Sequence, residues 1–117
     1  MAEDVTILHD VKKAVGVIDS YTIFDAELLL LINTAISTLT QIGLGPGTGV
    51  VVTENDEWSI LIGDRTDLEM VKTYVGYKTR MLFDPPASSA LSEAFTSSIN
   101  ELLWRIQNAI EFPIEEV

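Results

Sequence analysis

Leu68-Glu69-Met70-Val71-Lys72-Thr73-Tyr74-Val75-Gly76-Tyr77-Lys78-Thr79-Arg80-Met81-Leu82-Phe83-Asp84-Pro85-Pro86 reads as a helix with a hard stop. Proline lacks the amide donor a helix needs and disfavours helical backbone in the residue before it, so Asp84-Pro85-Pro86 ends the element at about Phe83. Asp64 or Asp67 is expected to open it. At 100° per residue, Leu68, Val71, Val75 and Leu82 form one apolar stripe. Met70, Tyr74, Tyr77 and Met81 form a second stripe beside it, so apolar side chains cover about half the circumference. A surface helix of a monomer needs one stripe. The helix is therefore either central to its own domain or packed on a neighbouring subunit, where aromatics and Met are enriched. Lys78 falls between the stripes, placed to snorkel or to span an interface as an ion pair.

After a serine-rich turn, Leu91, Ala94, Phe95, Ile99, Leu102, Leu103, Ile106 and Ile110 predict a last amphipathic helix about 30 Å long. Pro113 ends its continuation, leaving 111–117 as an extended tail. Upstream, Phe24, Leu28, Leu31, Ile32, Ala35, Leu39 and Ile42 recur at spacings of three and four. That helix is opened by Thr22 or Asp25 and closed at Gly43. Leu8, Val11 and Val15 mark a shorter first helix, with Asp4 as its expected N-cap. Between the second and third helices, Gly43-Leu44-Gly45-Pro46-Gly47-Thr48-Gly49 reads as a flexible loop. Val50-Val51-Val52 and Ile60-Leu61-Ile62 flank a polar segment and read as a short hairpin or extended arm, over 44–63. Two strands alone are marginal in water, so such an arm needs a surface to lie on. The expected fold class is all-α: four helices with a β-arm and a C-terminal tail, in one domain spanning 1–117.

The chain has 117 residues, 47% of them hydrophobic, with 18 acidic and 7 basic side chains and a net charge of −11. Its apolar fraction is too high for disorder despite that charge. With no cysteine, disulfide frameworks and thiolate metal sites are excluded. The longest apolar run, Leu28 to Ile32, falls far short of the roughly 20 residues that cross a bilayer, so no membrane partner is expected. The first ten residues lack the basic n-region of a secretory signal. No basic cluster exceeds Lys12-Lys13, which argues against tight binding of a phosphate backbone.

Candidate chemistry is sparse. The glycine-rich loop lacks the Gly-Lys-Ser/Thr of a phosphate loop, and Thr48 stands where a dinucleotide fingerprint would need a third glycine. His9 is the only histidine and reads as a surface residue. Glu54, Asp56 and Glu57 lack the spacing of a calcium loop. Nothing selects Asp64 and Asp67 from the other acids for acid-base work. No catalytic residue, cofactor or metal site is expected, and the chain is not read as an enzyme. Trp58 within the charged loop, and Phe112 and Ile114 in the tail, are apolar residues that either fold back or anchor a partner. With Met70, Tyr74, Tyr77, Lys78 and Met81 they form the candidate interface set.

Val71 to Pro86, followed by a serine-rich turn and a helix carrying Leu102-Leu103-Trp104-Arg105, resembles the head-tail connector (head-completion, adaptor) proteins of long-tailed double-stranded DNA bacteriophages. The order of elements fits along the whole chain. The resemblance implies a structural virion protein, made in the host cytoplasm and sited at the head–tail interface. It implies a homo-oligomeric ring, usually of twelve copies, under the portal protein, which extends the DNA channel and docks the next tail-side connector or tail-terminator protein. DNA would pass through without sequence-specific binding. The family's mobile loop corresponds to 44–63 and its portal-directed tail to 111–117, making Trp58, Phe112 and Ile114 contact residues. An acidic surface that does not grip phosphates is compatible with that role. The alternative from another class is a small acidic binding protein, such as an inhibitor or DNA mimic from a mobile element. The acids are scattered over caps, loops and tail rather than ranged along one face, which weakens it.

Overall fold

In the computed structural model, which describes residues 5–112, the chain forms five α-helices: α1 (Ile7–Val15), α2 (Asp25–Gln41), α3 (Ser59–Ile62), α4 (Met70–Phe83) and α5 (Ser89–Glu111). A single 3-10 turn, Thr66–Leu68, precedes α4. The Asp-Pro-Pro stop acts as expected. Asp84 donates its amide to the Arg80 carbonyl at 2.8 Å and then turns to extended backbone before Pro85. Asp67 does not cap α4, since its carboxylate is taken by Arg65, and Glu69 at the N-cap makes no side-chain capping bond. α1 is capped by Thr6, whose hydroxyl accepts from the His9 amide at 3.1 Å, and closed by Gly16 at φ 84°. The expected cap Asp4 lies outside the described residues. Phe24, without a side-chain cap, precedes α2, where Thr22 contributes only its carbonyl to the Asp25 amide.

α4 is the central helix. It packs on α1, on α2 and on α5, and buries Val71, Tyr74, Val75, Gly76 and Thr79. This explains its two apolar stripes within one chain: three neighbours require more than one face. Gly76 lets α1 approach closely, because a Cβ there would meet the Ala14 Cβ at 3.1 Å. Toward α5, Tyr77 and Phe95 stack edge to face at 5.0 Å, and the Arg80 guanidinium lies 5.3 Å over the same Phe95 ring. α5 has 23 residues, about 34 Å, against about 21 Å for the 14 residues of α4. It overhangs its support, and only Ile99 and Ile106 are fully buried along it.

The expected β-hairpin is not formed; among the described residues there is only an isolated bridge between Thr6 and Glu57. Val50-Val51-Val52 runs as coil, and Ile60-Leu61-Ile62 is part of the one-turn helix α3. The physical reason is that Val52 finds its hydrogen bonds on a side chain. Asn33 of α2 accepts from the Val52 amide at 2.7 Å and donates to the Val52 carbonyl at 3.0 Å, replacing a strand partner. The whole segment lies on the subunit's own core: Leu44, Val52, Trp58, Leu61 and Ile62 are buried in the same cluster as the helices. The surface an arm would need is provided internally.

Two substitutions check this packing. Gly76→Leu is expected to overpack the α1–α4 contact and cost about 1–3 kcal/mol, read as a lower urea midpoint with unchanged slope. Asn33→Leu leaves both polar groups of Val52 unpaired, at an expected cost of about 1–3 kcal/mol, and should raise amide exchange at Val52 selectively.

Candidate functional site: assembly surfaces

The polar side chains of the molecule are largely engaged in holding segments together. Trp58 donates its indole N–H to Asp10 Oδ2 at 2.7 Å, joining α3 to α1. Lys12 is 2% exposed; its ammonium donates to the Asp19 carbonyl at 2.7 Å and lies 2.9 Å from Asp25 Oδ1, a close ion pair short of hydrogen-bond alignment. His9 Nδ1 lies 3.0 Å from Asp19 Oδ1 at the mouth of the same hollow, about 340 Å³ in volume. Lys12 thereby ties the α1–α2 connector to both helices. Arg65 forks onto Asp67 at 3.0 and 2.6 Å and also donates to the Ala109 carbonyl at 3.1 Å, fastening the last turn of α5. That hydrogen bond raises the Arg65 pKa and holds the Asp67 carboxyl below the usual carboxylate range. Burial pushes the Tyr74 phenol up, opposed by the Thr38 hydroxyl. No group of three or more His, Cys, Asp or Glu side chains able to hold a metal ion occurs among the described residues. No helix among them is long and apolar enough to cross a membrane.

The interface candidates separate into three groups. Trp58 and Tyr74, 5% and 1% exposed, belong to the subunit's own core and offer little surface to a partner. Of the alternatives the sequence left open, Trp58 folds back with its indole N–H on Asp10, and the Tyr74 ring faces the interior because α4 is central. Met70, Tyr77, Lys78 and Met81 are half-buried, and Lys78 makes no ion pair among the described residues. Phe112 is 71% exposed at the end of α5, and Ile114 lies outside the described residues.

Large apolar side chains are exposed elsewhere. Ile18, Tyr21 and Ile23 stand on the connector before α2, where Phe24 meets Tyr21 at 5.8 Å and Phe83 at 5.3 Å. Leu30 on α2, Val51 beside it and Trp104 on α5 are 68%, 79% and 66% exposed. Sequence reasoning did not single these out. The signal was available: Leu30 and Trp104 fall off the apolar stripes of their helices. An exposed Trp in particular is uncommon unless a partner covers it.

A small helical chain with a buried polar framework leaves several large apolar side chains in solvent, as surfaces that meet a partner do. The family described as phage connector protein matches residues 7–112, nearly the full length, and the chain belongs to that family. Comparison with curated proteins finds no match, and comparison with solved structures finds none either.

The Arg65–Asp67 pair gives a pH-dependent expectation. Because the folded Asp67 pKa is depressed, its contribution is present above the ordinary carboxylate value of about 3.9 and is lost as pH falls through the lower folded value. Asp67→Asn should lower the urea midpoint at pH 7, and the gap from the parent chain should close as pH falls below the ordinary carboxylate value and through the lower folded one.

Proposed function

We propose that this chain is a structural ring subunit that joins the phage head to the tail beneath the portal and extends the DNA channel. Membership of the phage connector family over residues 7–112 is the observation that carries the reading, and it supports a structural role in the virion rather than a catalytic one. The exposed apolar side chains agree with it, since a free monomer has no use for Trp104, Val51 or Phe112 in solvent. In the ring, usually of twelve copies, the tail from 111 onward would reach the portal, with Phe112 and Ile114 as its apolar anchors. The opposite rim would receive the next tail-side connector or tail-terminator protein. Met70, Tyr77, Lys78 and Met81, half-buried on α4, are the remaining candidates for lateral or axial contacts, with Lys78 free to pair with an acid of another subunit. The net charge of −11 suits a channel through which DNA slides without being held.

The test is binding to the purified portal ring of the same phage, measured by co-sedimentation. The full chain is expected to bind. A chain lacking 112–117 should keep its helical circular dichroism while losing that binding. Absence of binding by the full chain would overturn the connector reading, whereas loss of helicity on truncation would place the tail in the core instead.

A further inference from the structure

Residues 28–53 contain no Asp, Glu, Lys, Arg or His, in a chain whose net charge is −11. Much of this uncharged stretch faces solvent. Leu30, Thr34, Ser37 and Gln41 are exposed at spacings of four, three and four, and so form one outward face of α2. Val51 flanks that face, and between α2 and the 48–51 segment lies a hollow of about 410 Å³ edged by Asn33, Ser37, Gln41 and Val51. Asn33 is engaged by Val52 and the Thr34 hydroxyl by the Leu30 carbonyl, but the Ser37 hydroxyl and the Gln41 amide make no side-chain hydrogen bond among the described residues and stand beside the exposed Leu30 and Val51. On α5 the outward face is of another kind: Trp104, with the exposed Asn100, Gln107 and Glu111 one turn or two away on the same side.

These two faces cannot meet within one chain. α2 and α5 both pack on α4, and neither has the other as a main neighbour, so their solvent sides look in different directions. We infer that they meet between copies: Trp104 of one subunit seats on the α2 face of the next, against Leu30, Val51 and the Ser37 hollow. This rests on the ring reading and specifies its lateral contact. Charge identifies a second copy as the occupant. A basic partner or a nucleic acid-binding protein would be matched by acids, whereas a partner of the same strong negative charge can approach closely only where the surface carries none. The α2 donors also complement the carboxylates and amides around Trp104, and an aromatic knob entering a hollow lined by aliphatic groups is the usual form of an interface anchor. Two unlike faces on one subunit give a head-to-tail contact, which closes into a ring or continues as a chain.

The absence of native cysteine makes the test clean. Ser37→Cys and Gln107→Cys are both at exposed positions, and Gln107 is one turn from Trp104. The double variant, treated with a short bismaleimide, is expected to give a covalent ladder of dimer, trimer and higher species, while each single variant gives at most a dimer. Adding Trp104→Ala to the double variant should cut the ladder about tenfold, with unchanged circular dichroism and an unchanged emission from buried Trp58. A double variant that cross-links no further than the singles, or a ladder indifferent to Trp104→Ala, overturns this contact. Portal binding by that same double variant then tells whether the connector reading stands without it.

Discussion

A 14-residue helix that has to satisfy three neighbours at once is the constraint on which the rest of this molecule depends. α4 meets it by dividing its circumference. Gly76 admits α1 at van der Waals distance, Val71, Tyr74 and Val75 fill the centre, and Tyr77 and Arg80 hold Phe95 of α5. Because α4 is short, the helices around it cannot all be covered along their lengths. α5 outruns it, and α2 turns a whole side outward. The radius of gyration of 14.4 Å, above the roughly 13 Å of a typical chain of this length, reflects that incomplete wrapping.

Polar contacts then hold what the apolar core leaves loose. Asn33 supplies Val52 with the pairing a strand would have given, Trp58 reaches Asp10, Arg65 reaches the Ala109 carbonyl, and the buried Lys12 gathers the connector onto α1 and α2. Each bond runs from a loop or helix end to a different helix. Their directionality fixes where the segments lie, while the apolar burial beneath them supplies most of the free energy. The net worth of such bonds is modest, yet leaving any one of these buried groups unpaired is costly, so the framework is specific without needing to be strong.

The long helices were legible because their signals are local: the stop at Asp84-Pro85-Pro86, Gly43 just past α2, and the spacing of Leu28, Ile32, Ala35 and Leu39. The hairpin was misread because β-branched runs report burial, not strand pairing. Val52 is buried, as a strand residue would be, but its partner is a side chain nineteen positions earlier that no periodicity could reveal. Trp58 and Tyr74 stayed open between two readings for a related reason. Residue type alone does not distinguish an aromatic that anchors a partner from one that closes the subunit's own core, and only the topology around α4 decides between them. Phe112, for which the sequence left folding back and partner contact both open, is exposed beyond the last packed turn.

The negative charge and the exposed apolar side chains are two aspects of one arrangement. Strong like charge keeps free subunits apart and soluble, and at the same time restricts where they can touch. On this chain the acids are spread over α1, the connectors, the start of α2, the Glu54 to Glu57 turn and the length of α5, while residues 28–53 carry none. Under the proposed lateral contact, association of copies would run through the uncharged stretch of α2 or be driven by an external scaffold that overcomes the repulsion. A lateral contact of that kind is weak when isolated and strengthens when many copies are held in register, since each added contact in a closed ring is intramolecular. In the proposed ring, such a chain would stay dispersed until a template gathers it and would then lock by apolar contact.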